Sequence, residues 1–166
     1  MNPDAAADLL ADLPEERTSE ILKEMEPEER NEVTELLEFH ENTAAGRMNT
    51  EYLALDSQAT VTDAIDTLRN FEGGIEAVHT IYLVDDQWKL VGAVPLAKLI
   101  LAKPGDKLLS LTVEPLISVH AGAREKEVAE LFDKYNLVIL PVVEDKGVLT
   151  GVITSDDVIS LLRAKL

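Results

Sequence analysis

In 166 residues, 32 acidic side chains face 15 basic ones, a formal net charge of −17 at pH 7. A polyanion of that strength repels phosphate backbones, which excludes nucleic acid as a partner. The absence of cysteine excludes disulfides, thiolate metal sites and a cysteine nucleophile, while 46% hydrophobic beside 28% charged residues argues for a folded chain.

Residues 4–13, 15–25 and 28–39 carry apolar side chains at three- and four-residue spacings, such as Val33, Leu36 and Leu37, which predicts three short helices. Pro14 and Pro27 suit the first turns of the second and third, where a missing N–H costs nothing. The tetrapeptide Pro-Glu-Glu-Arg begins at both prolines, an internal repeat with an offset of 13 residues. Short repeated helices stack into solenoids that need several units to bury their apolar faces. Residues 1–45 therefore read as an acidic helical segment, the stump of a longer array.

From Tyr52 a second repeat covers the rest of the chain. YLALDSQATVTDAIDTLRN aligns with LISVHAGAREKEVAELFDK from Leu116 at an offset of 64. IYLVDDQWKLVGAVPLAKLILA from Ile81 aligns with LPVVEDKGVLTGVITSDDVISLL from Leu140 at an offset of 59, across the shared Gly92 and Gly151. The first copy holds five extra residues near Gly73 and Gly74. Each copy reads strand, helix, strand, turn, strand, helix, with turns at Asp85-Asp86 and Asp145-Lys146-Gly147. One copy cannot cover both faces of so small a sheet, whereas two packed together can. The expected fold is α+β: residues 1–45 all-helical, 46–110 the first β-α-β-β-α repeat, 111–166 the second. The longest apolar runs, such as residues 138–143, stop after six residues, against the roughly 20 that span a bilayer, so no direct membrane insertion is expected.

A few positions offer chemistry. Thr154 and Asp157 stand three apart before an apolar helix, the spacing of a helix cap in which each side chain bonds the other's backbone. Asp156 and Asp157, with Glu15, Glu16, Glu28 and Glu29 on the first helices, are candidates for Mg²⁺, which prefers oxygen ligands and keeps several waters. His40, His79 and His120 share no metal-ligand spacing. Trp88, beside a hairpin turn, reads as a half-exposed packing residue. No nucleophile-elbow, phosphate-loop or zinc-protease motif occurs, so no enzyme is expected.

The unit that runs apolar-Pro-Val-Val, acidic turn, Leu-x-Gly-Val-Ile-Thr and x-x-Asp resembles the CBS domain, and its two copies resemble the CBS pair, or Bateman module. The junction ENTAAGRMNTEYLAL, with TIYLVDD and EVAELFDKYNLVILPVV, is similar to MgtE-type magnesium transporters. The resemblance implies a cytoplasmic regulatory domain that senses intracellular Mg²⁺, with ATP or AMP in the CBS pair, and gates transport. It implies a homodimer through CBS pairs, the membrane pore domain of the same transporter as partner, and a soluble chain at the cytoplasmic face of the cell membrane. In nucleotide-binding relatives the motif Asp, here Asp157, grips the ribose, Thr154 faces the phosphates, and Ile117, Leu140 and Pro141 flank the adenine. Where MgtE relatives carry Asp-x-Asp before the second CBS helix, this chain has Gly122 and Arg124. Where they often carry Arg-Asp before the first copy's last helix, it reads Pro95-Leu96-Ala97-Lys98. A free-standing adenosine-nucleotide sensor and a dimerisation module remain alternatives.

Overall fold

Two prolines set the first helices. In the computed structural model, α1 (Glu15–Glu24) follows Pro14 as its N-cap, and α2 (Pro27–Glu41) opens on Pro27 itself. The structure describes residues 6, 9–10, 13–41, 43–75 and 78–164, with backbone alone for residues 15, 35–41, 161 and 164. Val33 is buried against Ala6 and Leu10, with Leu22 and Met25 closing the small cluster. The Thr18 hydroxyl donates to the Leu10 carbonyl at 3.0 Å and ties α1 to the residues before it. The first predicted helix lies mostly outside the described residues, as do the side chains of Leu36, Leu37 and His40.

A single-turn helix, α3 (Ala44–Arg47), leads into the repeats. The first copy is β1 (Leu53–Asp56), α4 (Val61–Arg69), β2 (Thr80–Val84), β3 (Leu90–Pro95) and α5 (Leu96–Leu101). The second is β4 (Val119–His120), α6 (Glu125–Tyr135), β5 (Ile139–Val143), β6 (Leu149–Thr154) and α7 (Ser155–Ala164). In each sheet the first strand runs parallel to the second, which runs antiparallel to the third. Both sheets also bulge at the same place, between Leu83 and Val84 and between Val142 and Val143, so the repeat holds to the level of register.

Strand alternation sends the two faces of each sheet to different cores. Ile81, Leu83 and Val94 face the first copy's helices with Val61 and Ala64. Val142, Leu140 and Ile153 do the same in the second copy, with Val128 and Phe132. The residues between them, Tyr82, Val84, Ala93, Leu149 and Val152, form a third core shared by the two copies. Tyr52 meets Tyr82 there edge to face, ring centroids 6.4 Å apart, and burial pushes the Tyr82 phenol well above the ordinary tyrosine range.

The copies are also interlocked by backbone. Asn49, ahead of the first copy, exchanges hydrogen bonds of 2.8 and 2.9 Å with Val152 on the second copy's last strand. Val113, ahead of the second copy, donates at 3.1 Å to Ala93 on the first copy's last strand. These positions stand 64 and 59 residues apart, the offsets of the repeat itself. The two shared glycines are where the crossing strands press closest. A Cβ on Gly151 would lie 2.7 Å from Met48 Sδ and 2.9 Å from the Asn49 carbonyl oxygen, and one on Gly92 would lie 2.6 Å from Thr112 Cγ2.

Trp88 closes the first hairpin at φ 65°, with 46% of its surface exposed. Its carbonyl accepts from Leu149 N at 3.0 Å, so this turn also touches the second copy.

Candidate functional site

A cleft of about 210 Å³ opens between the two sheets. The first copy supplies Thr80, Tyr82 and Pro95, the second Ile117, Val138 and Pro141. Among the described residues no lysine, arginine, aspartate or glutamate lines it. Ligand sites for drug-sized molecules run to about 300–1,000 Å³, so this cleft is smaller than most of them.

The candidate nucleotide residues divide around it. Ile117 and Pro141 sit in the cleft wall. Leu140 does not: it is wholly buried in the second copy's core. Adjacent strand residues point to opposite faces, so Pro141 in the cleft wall places Leu140 behind that wall, away from any base. Thr154 pairs with Ile139 across β5 and β6, on the face that looks at the first sheet. Its first-copy counterpart, Pro95, lines the cleft, whereas Thr154 and Asp157 do not.

Thr154 and Asp157 form the reciprocal cap of α7. Thr154 N and Oγ1 both donate to Asp157 Oδ2 at 2.9 Å, and Asp157 N donates to Thr154 Oγ1 at 3.4 Å. These bonds engage Oδ2 and leave Oδ1 without a hydrogen bond from the described residues. A carboxylate held this way by its own helix start is fixed in rotamer and keeps one oxygen for a hydroxyl. The same box caps α4, where Thr60 and Asp63 bond reciprocally. There the backbone and hydroxyl hydrogen bonds from Thr60 hold the Asp63 carboxyl below the usual aspartate range.

The acids proposed for Mg²⁺ are spread out. Asp156 is exposed at the start of α7 beside half-buried Asp157, and Glu16, Glu28 and Glu29 are exposed on α1 and α2. The Glu15 side chain lies outside the described residues. Among the described residues no three His, Asp or Glu side chains gather closely enough to hold an ion together.

Two arrangements escaped the sequence. Arg47 Nε donates to Glu125 Oε1 at 2.9 Å, across 78 residues of chain, and Glu125 is 7% exposed. His120 Nδ1 accepts from Gly122 N at 3.0 Å, so the ring proton sits on Nε2, which donates to Asp145 Oδ1 at 3.0 Å. Neither pair has sequence spacing to reveal it. Both brace the loop before α6 on which the junction docks. Ala44 N donates to Ala123 O and Ala45 N to Ala121 O, and Thr43 bridges Arg124. Gly122 and Arg124 thus belong to the docking loop of the junction. His79 is exposed, and it shares no cluster with His120.

Comparison with known proteins finds the MgtE intracellular N domain over residues 1–42 and the CBS domain twice, over residues 44–105 and 110–164. A magnesium transporter MgtE of Thermus thermophilus is 33% identical over 85% of this chain and 31% of its own length. One of Bacillus subtilis is 32% identical over 98% of this chain and 36% of its own. The chain thus spans about a third of these curated relatives. A crystal structure of the cytosolic domain of the Mg²⁺ channel MgtE in complex with ATP is similar at a TM-score of 0.69 and 30% identity, covering 97% of this chain and 66% of that one. Among the described residues no helix is long and apolar enough to cross a membrane.

Proposed function

From the premise that the chain belongs to the CBS-domain family, its pair following a stretch of MgtE intracellular N domain, we propose that it regulates a magnesium transporter or channel from the cytoplasmic side. It senses intracellular Mg²⁺, with an adenosine nucleotide in the CBS pair, and gates a pore carried by the rest of the transporter. It works as a homodimer through its CBS pairs. The observation that carries this reading is the union of the two domain types in one fold, with the junction seated in the second copy's core through Ala44. A helical segment anchored there is placed to move with the CBS pair.

The charge supplies a driving force. Seventeen surplus negative charges repel one another, and a divalent cation that binds the compact form shifts the population toward it. In the nucleotide part of the reading, the adenine stacks against Ile117 and Pro141 and the ribose reaches Asp157. A second reading is a nucleotide sensor without ion sensing, supported by the resemblance to the cytosolic domain solved in complex with ATP.

Thermal melting separates the two. Millimolar Mg²⁺ raises Tm by several degrees, more than NaCl at matched ionic strength, which only screens. ATP or AMP raises Tm as well, and Asp157→Ala abolishes that response. Equal responses to Mg²⁺ and NaCl would refute ion sensing and leave the nucleotide sensor.

A further inference from the structure

The cleft wall holds a polar atom that the fold itself does not use. Tyr82 lines the cleft and is only 1% exposed, yet its hydroxyl has no hydrogen-bond partner among the described residues. Every described side-chain nitrogen or oxygen that is wholly shut off from solvent does have a partner. The phenol oxygen therefore keeps the little access that the residue retains, and that access opens on the cleft.

The ring is held in place before any ligand arrives. Tyr82 stands on the middle strand of its sheet, paired with Ala54 on one side and Ala93 on the other. Tyr52 packs against it edge to face. Burial keeps the phenol protonated, so the hydroxyl stands as a neutral donor. Thr80, half-buried two positions earlier on the same face of β2, and exposed Asn136 are the other polar side chains among the described lining residues. With no charged group beside them, the lining suits an uncharged part of a ligand. Such a group expels water from the Tyr82 hydroxyl as it enters. Unless it brings an acceptor, it leaves a buried donor unpaired, at the cost of that donor's desolvation.

We propose that Tyr82 determines specificity in the cleft, its hydroxyl donating a hydrogen bond to an acceptor nitrogen of an uncharged heterocycle. The inference rests on the nucleotide reading above and adds the kind of atom that is read on the base. A base with a ring nitrogen at that point is accepted, and an isostere with C–H there is rejected, because the site's donor is then left without a partner.

Tyr82→Phe, in the full 166-residue chain, keeps the ring and removes only the oxygen. Without ligand it melts at the wild-type temperature or above, since no internal hydrogen bond is lost; a drop of several degrees would show the hydroxyl bonded within the protein and overturn the proposal. By titration calorimetry AMP binds about 3- to 10-fold more weakly to Tyr82→Phe, the worth of one net hydrogen bond. Among deaza analogues of AMP, in each of which one ring nitrogen becomes C–H, one loses that factor on wild type and nothing further on Tyr82→Phe. Equal AMP affinity for the two proteins overturns the proposal and leaves the nucleotide reading standing. A second arm needs no nucleotide. Quinoline and naphthalene differ by a single ring nitrogen, and the ratio of their affinities, followed by ligand-observed NMR, shifts against quinoline by about 3- to 10-fold in Tyr82→Phe. An unchanged ratio, or no binding of either ring, overturns the proposal. A shifted ratio without AMP binding supports it and refutes the nucleotide reading alone.

Discussion

At the scale of single residues, the two shared glycines do different amounts of work. At Gly151 an added methyl meets the Asn49 backbone oxygen, which is held in place by its own hydrogen bond from Val152. At Gly92 it meets a Thr112 side-chain methyl, which rotates more cheaply than a backbone shifts. Gly151→Ala therefore destabilises by about 1–3 kcal/mol, the cost of overpacking, and Gly92→Ala by less; urea denaturation of both variants checks the order. Asp63 gives a pH-dependent counterpart. Its folded pKa is lowered by the hydrogen bonds from Thr60. The stabilisation is then fully present above the unfolded carboxylate pKa of about 3.9 and is lost as pH falls through the lower folded value. The stability gap between wild type and Asp63→Asn narrows on acidification across that window, as melting from pH 6 to pH 2.5 will show. The residue scale is also where the sequence misled. Thr154 and Asp157 were legible as a cap because spacing alone dictates it, whereas nothing in the pattern told that Pro141 lines the cleft and its neighbour Leu140 is buried in the core behind.

Among the elements, the repeat announced itself and its crossing did not. Paired apolar strands, turn acids and a glycine at a fixed offset have periodicity, so both sheets and their order could be read from the chain. Asn49 and Val113 each contribute a single bridging position to the other copy, and a lone position has no period to detect. The walls of the cleft were hidden for a similar reason: Thr80, Tyr82 and Pro95 join Ile117 and Pro141 only after the two sheets face each other. The crossing strand gives a direct test. Asn49→Pro removes the N–H that donates to Val152 at 2.8 Å, leaving a carbonyl of a buried residue unpaired, at about 1–3 kcal/mol. A lower urea midpoint with an unchanged slope is expected, and an unchanged midpoint would deny the interlock a part in stability.

For the molecule as a whole, the shared core of Tyr82, Val84, Ala93, Leu149 and Val152 makes the two copies one cooperative unit. The chain has a single tryptophan, and the Trp88 carbonyl accepts the hydrogen bond from Leu149 N of the second copy. Its fluorescence reports on the docking, while far-UV circular dichroism reports on helices and sheets everywhere. The two probes give superimposable denaturation curves if the copies unfold together, and fluorescence changing at lower denaturant would mean that they separate first.

The crossed lead-in segments carry a consequence for dilution. A lone copy, deprived of its neighbour's bridging segment and of the face it packs on, would have to borrow them from another molecule, and its folding would then depend on how crowded the solution is. Joining two copies in series turns that borrowing into an internal event at an effective concentration in the millimolar range. The tandem arrangement thus frees the fold from its own abundance.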